Sequence, residues 1–501
     1  MVKSSPHTTM PLTGKSDELI VPQKRANKVA LATAEHVEGR GSTERNGLTD
    51  AGVPTQCGAS TMSRLQSIRR LAAENRSLQF TSLFQYLDYD LLNEAFYRVK
   101  RHSAAGIDGV TWQDFEQTKD ERLAALVSDL RAGSYKPRAA RRVFIPKEDG
   151  SQRPLSILCV TDKIVQQATV LILESIYEVD FKGFSYGFRP GRSQHGALDA
   201  LYVGIKRKRV NWVLDLDIQQ FFDRVNHEWL SRFLEHRIKD RRLLRLLTQW
   251  IKVGHYDESG TRLASTVGVP QGGVISPLLA NIYLHYSFDL WVNQWRNRCA
   301  EGDMVIVRYA DDSVLGFQRK PDADHFLFEL RARLKKFGLN LHNQKTKLIR
   351  FGRFARAGER KGWGKAGTFD FLGFTHSCGT QRSSDEFSLI RRTSKKKFRA
   401  TMRSITDWLK TNMHLPIKAQ VTWLNRVLSG HFNYFAVPTN SQQVSRLRSL
   451  VMYVWLKALK RRSQRSKINW VKFGRFCNLV LVKSFVRHPY PNERFDVIYS
   501  K

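Results

Sequence analysis

The sequence predicts an α+β fold in which helices alternate with β-hairpins and a basic helical region follows. Residues 141–158 and 304–317 each carry β-branched and aromatic residues on both sides of a turn, which is typical of hairpins. Apolar residues recur at helical spacing in the segments around them. From Arg391 to Lys501 the chain has 24 Lys and Arg but only 3 Asp and Glu. The excess of basic residues is therefore concentrated in one C-terminal region.

The composition restricts the class of protein. The 501 residues carry a net charge of +36, which favours a polyanionic partner, either a nucleic acid or an anionic membrane surface. The sequence has no run of about 18 apolar residues that would span a bilayer. Its five cysteines are scattered without a CxxC pair, and no apolar signal segment opens the chain. We expect a cytoplasmic, reduced, nucleic-acid-binding protein with no membrane partner.

The N-terminal residues differ in composition from the rest. The first aromatic residue is Phe80, and residues 1–60 are rich in Ser, Thr, Gly and Pro. They are predicted to be a disordered leader, with the alternative that they lie upstream of the true start; order is expected from near Thr61.

Elements follow in a regular order after this leader. Helices are predicted at 83–102 and 162–178, a half-buried strand at 211–218, and one long amphipathic helix at 226–251 with Asn226 as its cap. In the basic region, three helical stretches are predicted at 395–410, 420–435 and 445–462. Their basic residues alternate with aromatic rings, a mixture that suits irregular RNA, although some of the rings must be core.

Three carboxylates lie in or beside apolar strands. Asp217 ends the predicted strand, and Asp311 and Asp312 occupy the turn of the second hairpin. Clustered carboxylates repel one another unless a hard cation such as Mg²⁺ binds them. Two such ions can clamp the attacking and leaving oxygens of a phosphoryl transfer. The pattern predicts a two-metal site, and the alternative is that the turn acids are simply solvated.

Six motifs in a defined order strengthen the prediction of a two-metal site. Tyr309–Asp312 resembles the catalytic hairpin of reverse transcriptases, and residues 268–285 and 217–227 resemble two further motifs of group II intron-encoded enzymes. The remaining three are found at 141–157 with 183–198, at 369–376 and around 428–435. The chain resembles a group II intron reverse transcriptase/maturase. The resemblance implies a right-hand polymerase with fingers at 61–210, a palm with an antiparallel sheet at 211–385 and a helical thumb/maturase domain at 386–501.

The resemblance also implies residue roles. Asp217, Asp311 and Asp312 would be catalytic and would bind two Mg²⁺ ions together with the backbone carbonyl of Ile218, whereas Asp215 lies outside the match and is interpreted as supporting. Phe222 would exclude a ribose 2′-hydroxyl, with Phe221 as its rival and core packing as the alternative for both. The nucleotide would be bound by Lys147, Arg153 and Gln271, and the alternative for Lys147 and Arg153 is contact with the template backbone. Gln219-Gln220 departs from the usual basic residue and glycine.

RNA contacts are expected on two surfaces. Arg189 and Arg192 either bind RNA phosphates or make buried structural pairs. In the basic region, the predicted RNA-binding residues are Lys395, Lys396, Lys397, Arg461 and Arg462.

The expected function is RNA-templated DNA synthesis coupled to binding and splicing of the intron RNA. The partners implied are the intron RNA, an RNA template, a DNA primer, deoxynucleoside triphosphates and target DNA. The alternatives are a reverse transcriptase recruited to a defence or CRISPR-type role, and a splicing-only maturase. After the predicted thumb only Cys477 is available for the Cys/His cluster of the family's optional endonuclease, so we expect no second-strand cleavage and a primer made elsewhere.

Overall fold

The computed structural model describes residues 56–146, 152–256, 261–263, 265–360, 362, 364–380, 386–462 and 468–498. Within them the fold is α+β, and its sheets are antiparallel except for one short parallel pairing. The first helix begins at Gln56, five residues before the expected start of order, and the rest of the predicted leader lies outside the described residues. No described helix has the length and apolar character needed to cross a membrane.

The N-terminal part is a group of helices followed by the first hairpin. Its elements are α1 (Gln56–Glu74), α2 (Tyr89–Arg98), α3 (Trp112–Gln117), α4 (Lys119–Ala132), β1 (Ala140–Pro146), β2 (Gln152–Ile157), α5 (Val160–Tyr177) and α6 (Gln194–Arg207). Local chemistry fixes several of the ends. Asp88 caps α2 by accepting from Leu91 N, and Thr111 and Asp114 form a capping box at α3. The helix expected at 83–102 is shorter than predicted. It begins only after its N-cap, Asp88, and ends at Arg98.

A four-stranded antiparallel sheet forms the centre of the molecule, with strand order β6-β7-β3-β8. Its strands are β3 (Trp212–Leu216), β6 (Met304–Tyr309), β7 (Asp312–Phe317) and β8 (Lys347–Arg350). The prediction of a half-buried β3 is confirmed towards its carboxyl end, where Leu216 is buried and Asp215 and Asp217 are partly exposed, but around Val213 both faces are covered. Leu214 and Leu216 pack into one core cluster, whereas Val213 packs into another on the opposite face.

The segment after β3 contains three helices instead of one long helix. They are α7 (Phe221–Arg224), α8 (His227–Glu235) and α9 (Arg241–Lys252). Asn226 does cap α8, accepting from Trp229 N. The predicted helix breaks before α9 because Asp240 accepts from Arg242 N and Leu243 N as a new cap, and also from Phe84 N at 2.7 Å. This break brings the N-terminal helices against the centre.

In the described part of the chain, the fold contains two further sheets, one of four strands and one of three. The short strands β4 (His255–Tyr256) and β5 (Arg262–Leu263) extend the first hairpin. Between them and β6 lie α10 (Ser276–Leu284), a π-helical turn at His285–Asp289 and α11 (Leu290–Arg298), and β7 leads into α12 (Lys320–Lys336). The third sheet contains β9 (Thr368–Phe371), β10 (Phe374–Thr380) and β11 (Phe387–Thr393), after helix α13 (Arg353–Arg360). Because β10 and β11 pair, the boundary predicted between residues 385 and 386 divides one sheet, and the helical region starts nine residues later, at Lys395.

The C-terminal helices are α14 (Lys395–Thr411), α15 (Ile417–Phe435), α16 (Ser441–Lys460), α17 (Trp470–Val480) and α18 (Pro491–Ile498). The first four share a core of their own. Several of the aromatic residues considered for RNA stacking lie inside. Trp408 and Trp423 stack on each other with ring centroids 3.9 Å apart, and Phe432 and Trp455 are fully buried. Tyr453 is the exception, with 57% of its surface exposed.

Candidate active site

The second hairpin places two carboxylates in a tight turn. Tyr309 pairs with Asp312, so only Ala310 and Asp311 connect β6 to β7. Ala310 has a φ of 56°, in the left-handed region, where a non-glycine residue costs about 1–3 kcal/mol. The surrounding structure must stabilise this turn, because strain of this kind persists only where neighbouring contacts fix the backbone.

Asp217 lies beside that turn because of the strand register. Leu216, the last residue of β3, pairs with Ser313 of β7, which follows Asp312 directly. The carboxylate of Asp217 contacts the ammonium of Lys345, with Nζ and Oδ2 3.1 Å apart. Ile218 bridges to Leu341 through the backbone groups of its neighbours, and neither hydrogen bond of this bridge uses the carbonyl oxygen of Ile218.

The carboxylates influence one another electrostatically. Burial, followed by the charge of Asp217 among other groups, raises the pKa of Asp311. The pKa of Asp312 is raised to about 7, first by desolvation in the crowded turn and then by Asp311 and Asp217, although part of its carboxylate is exposed to solvent. Asp215 also has a pKa raised to about 7, by burial and then by Asp312 and Asp217. Like charges thus converge at one end of the central sheet.

A divalent cation fits this donor set. In the part of the chain that the structure describes, no three His, Cys, Asp or Glu side chains already form a ready metal-binding group. Asp217 nevertheless holds a cation, the ammonium of Lys345. Carboxylate oxygens are the ligands that Mg²⁺ prefers, and bringing positive charge to the cluster would relieve the repulsion that raises these pKa values.

The two phenylalanines after Asp217 lie in different environments. Phe221 is only 2% exposed and belongs to the core, whereas Phe222 is partly exposed, with its ring edge-on to that of Phe221. Gln220, just before α7, has a φ of 49°. Glycine adopts this backbone conformation without strain, which explains why the motif that residues 217–227 resemble usually has glycine at this position.

Gln271 is held between two elements near the same helix. Its side-chain Nε2 donates to Asp223 at 3.3 Å, and its backbone carbonyl accepts from Ser156 N at 2.6 Å. The next residue, Gly272, has a φ of 104°, and a Cβ there would lie 2.6 Å from the carbonyl oxygen of Ser156. The close approach of the 270–273 loop to β2 therefore requires glycine at position 272.

Arg153 belongs to the first hairpin and lies within electrostatic reach of the acids. It is exposed, pairs with Ile145 across the hairpin, and its charge lowers the pKa of Asp311 against the larger raising effects. Lys147 lies outside the described residues. Of the two predicted phosphate ligands, Arg153 has a placement that agrees with a role near the carboxylates.

The two arginines of the 183–198 motif differ. Arg189 is buried and forms a salt bridge with Glu178, with Nη2 and Oε1 2.6 Å apart, and its Nη1 donates to the carbonyls of Lys182 and Ser185. This geometry favours the structural alternative over RNA binding. Arg192 is partly exposed, lies over the ring of Tyr186 and donates to Gly183 O at 3.2 Å.

Two of the predicted basic contacts, Lys395 and Lys396, line a groove. Lys395, Lys396 and Lys397 are exposed in the first turn of α14, which Ser394 caps. A groove of about 740 Å³ lies between this helix and the third sheet, and it is lined by Thr368, Asp370, Thr375, Lys395, Lys396, Arg399, Ala400, Arg403, Ser404 and Asp407. The charge of Asp370 contributes to the raised pKa of Asp215, so one wall of the groove lies close to the acidic cluster.

The other two basic residues lie at the end of α16. Arg461 is exposed, whereas Nη2 of Arg462 donates to the carbonyls of His414 and Leu415 at 3.0 and 3.1 Å. Arg462 thus helps to hold the 412–416 connection.

Sequence reasoning did not identify three residues near the site. Lys345 has no motif that would mark it. Arg308 and Asp289 did carry a signal, because a charged residue inside an otherwise apolar strand or helix must find a buried partner. They are each other's partner, with both side chains 0% exposed.

Comparison with known proteins agrees with this geometry. The family model for reverse transcriptase (RNA-dependent DNA polymerase) matches residues 145–376, a range that includes the acidic turn and the central sheet. Protein YkfC of Escherichia coli K12 is 38% identical over 275 residues, covering 48% of this chain and 71% of that protein. The group II intron-encoded protein LtrA of Lactococcus lactis is 37% identical over 229 residues, 45% of this chain and 37% of LtrA.

A more distant match points the same way. Nuclear intron maturase 4 of Arabidopsis thaliana is 27% identical over 160 residues, which is 32% of this chain and 20% of that protein. The matched family model defines the class of this protein as an RNA-dependent DNA polymerase, an enzyme that copies a nucleic-acid template. Within that class, the chain belongs to the group II intron-encoded reverse transcriptase/maturase family.

Proposed function

We propose that this reverse transcriptase copies intron RNA into DNA with a two-metal site formed by Asp217, Asp311 and Asp312, and that it binds the intron RNA to assist splicing. The observation that supports this proposal best is the convergence of the three carboxylates: burial, and then the charge of Asp217, raises the pKa of both turn acids, Asp311 and Asp312. In this interpretation the N-terminal helices and first hairpin are fingers, the central sheet is the palm, and the C-terminal helices are the thumb.

The chain's own groups would each have a defined task. Asp217 and the turn acids would hold two Mg²⁺ ions, with the carbonyl of Ile218 as a further ligand. When bound, the ions would activate the primer 3′-hydroxyl and stabilise the charge on the leaving pyrophosphate. Arg153 would offer its planar fork to the triphosphate oxygens, together with Lys147. Gln271, anchored to Asp223 and β2, would line the nucleotide sugar.

Lys345 would balance the charge of the acidic cluster whenever no metal ion is bound. Its ammonium lies 3.1 Å from Asp217 and is mostly exposed, so it can leave without breaking a buried contact. We infer that Lys345 compensates the carboxylate between catalytic cycles and moves aside on metal binding.

The groove beside α14 supports the nucleic-acid part of the proposal. Its basic wall, formed by Lys395, Lys396, Arg399 and Arg403, can follow a phosphate backbone, and its acidic end approaches the carboxylate cluster. A template–primer duplex and the intron RNA are the partners we assign to this basic surface.

Primer extension tests the proposed function. Asp217→Ala or Asp311→Ala should abolish DNA synthesis on an RNA template, because each change removes a metal ligand. Binding of intron RNA in a filter assay should stay within about threefold, since the basic surface is intact. The matched control is Glu228→Ala, an exposed carboxylate eleven residues after Asp217 on α8, which should keep synthesis close to the parent level. Normal extension by either ligand variant would remove the two-metal assignment.

A further inference from the structure

A fully buried ion pair lies directly behind the acidic turn. Arg308, next to last in β6, and Asp289, last in the π-helical turn, are both 0% exposed. Nε and Nη2 of the guanidinium donate to the two carboxylate oxygens of Asp289 at 2.7 and 2.5 Å, so the pair is bidentate. Replacing a buried ion pair by apolar residues is often neutral or stabilising, so stability alone does not explain this arrangement.

The remaining donors of Arg308 reach the turn and its surroundings. Nη1 donates to the carbonyl of Ala310 at 2.8 Å and to Asn281 Oδ1 at 3.1 Å, while Nη2 also donates to Ser185 Oγ at 2.7 Å. All five N–H groups of the guanidinium are thereby used. Ala310 is the residue with the left-handed backbone, immediately before Asp311.

The same network holds the turn from its other side. Asn281 donates through Nδ2 to the carbonyl of Gly187 at 2.7 Å. A Cβ at Gly187 would lie 2.2 Å from Ala310 N, so this backbone lies directly against the turn. Tyr186 N donates to Arg308 O at 2.8 Å, and Arg308 N donates to Phe184 O at 2.8 Å. Segment 184–187 is therefore fixed to the edge of β6.

The π-helical turn brings the two helical partners of Arg308 to one face. Asn281 and Asp289 are eight residues apart, which in a regular α-helix would separate their directions by about 80°. A π-helical turn is wider, so each of its residues rotates the chain less, and the two directions approach each other. Both side chains can then contact one guanidinium.

We propose that Arg308 is a positioning residue: through the Ala310 carbonyl it holds the turn in the conformation that aims Asp311 and Asp312 at Asp217. Asp289 and Asn281 fix the guanidinium, and the π-helical turn makes their joint contact possible. This role rests on the proposed two-metal function, because it concerns the placement of the same ligands.

The test compares Arg308→Lys with Arg391→Lys. Arg391 is a matched control: it is 1% exposed, and its Nη1 pairs at 3.1 Å with Asp199, a buried carboxylate on α6. Its backbone hydrogen bonds run to Thr439, on the side of the C-terminal helices. Each lysine keeps the positive charge but loses the planar fork.

We expect the two variants to lose similar thermal stability but to differ in function. In Arg308→Lys, kcat for primer extension should fall about 100-fold, because a ligand misplaced by about 1 Å costs that much, while KM for the nucleotide stays within about threefold. Calorimetric titration with Mg²⁺ in the presence of template–primer should show weaker binding. Arg391→Lys should keep kcat and Mg²⁺ binding within about threefold of the parent.

A second variant covers the case in which Arg308→Lys does not fold. Asn281→Ala keeps the buried ion pair and removes one support of the guanidinium, so kcat should fall about tenfold, with a smaller loss of melting temperature than in Arg308→Lys. Equal kcat and equal Mg²⁺ titrations for Arg308→Lys and Arg391→Lys, or an unchanged kcat in Asn281→Ala, would overturn the positioning role. Asp311→Ala separates the two failures, since synthesis by that variant would instead overturn the proposed function.

Discussion

At the scale of single residues, the different exposure of Phe221 and Phe222 indicates which ring contacts the nucleotide sugar. Phe222→Ala should admit ribonucleotides, because the partly exposed ring of Phe222 is the one able to meet a nucleotide sugar. The ratio of ribonucleotide to deoxynucleotide incorporation in single-nucleotide primer extension measures the effect. We expect this ratio to rise about 10- to 100-fold, which corresponds to roughly 1.4–2.8 kcal/mol.

Phe221→Ala is the matched control for this change. Phe221 is buried, so its removal should destabilise the fold by about 3–5 kcal/mol without changing the choice of sugar. If Phe221→Ala admits ribonucleotides and Phe222→Ala does not, the assignment of the sugar contact is off by one residue.

Individual side chains also show how far sequence alone could reach. The acidic turn was predictable because a two-residue connection leaves its carboxylates close together. The contact of Lys345 with Asp217 was not, because it depends on how the loop after α12 returns to the central sheet. Likewise, the burial of Arg189 follows from the position of Glu178 eleven residues earlier, which no local pattern indicates.

At the scale of elements, a capping residue set a helix boundary that the apolar periodicity of the sequence did not indicate. The apolar spacing continues through residues 226–251, so periodicity alone predicts one helix; the competing signal was Asp240, whose side chain starts a second one. The alternation in β3 misled at one position for another reason. It predicts one buried and one exposed face, and Asp215 and Asp217 are partly exposed as expected, but Val213 on the same face is buried in a second core that is valine-rich at this sheet.

The prediction at this scale concerns RNA binding by the three lysines at the start of α14. Changing Lys395, Lys396 and Lys397 together to alanine should weaken RNA binding and flatten its salt dependence, because each lost phosphate contact removes about one unit from the slope of log K against log salt. The measurement is a set of binding titrations at several salt concentrations.

The control removes the same charge elsewhere. Lys100, Lys239 and Lys335 are exposed on other parts of the molecule, and their combined change to alanine should leave the slope nearly unchanged. A slope that responds equally to both triple variants would mean that net charge alone, not the groove at α14, attracts the RNA.

At the scale of the whole molecule, the C-terminal helix connects the helical region to the central sheet. Phe495 of α18 is buried in the cluster that also contains Val213, Val305 and Val314 of the sheet. The buried carboxylate of Asp199 on α6 accepts from Arg391 of β11 and from Arg494 of α18. The carboxylate of Asp199 therefore joins α6, β11 and α18, which together span almost 300 residues of sequence. No sequence pattern predicted this connection.

Asp199→Asn tests that connection. The variant keeps the shape but leaves two guanidinium groups without a negative partner, so we expect a loss of about 3–5 kcal/mol in the free energy of unfolding. Asp496→Asn, on α18, is the control. Asp496 pairs with Arg207 of α6, and this salt bridge is exposed, with 53% of the Asp496 side chain and 44% of the Arg207 side chain accessible. It should contribute at most about 1 kcal/mol to the free energy of unfolding. Hydrogen exchange across 491–498 separates the two, because local opening of α18 should become much faster only in Asp199→Asn. If both variants exchange alike, Phe495 and its apolar contacts hold the helix, and the buried carboxylate is not what attaches the C-terminal segment to the sheet.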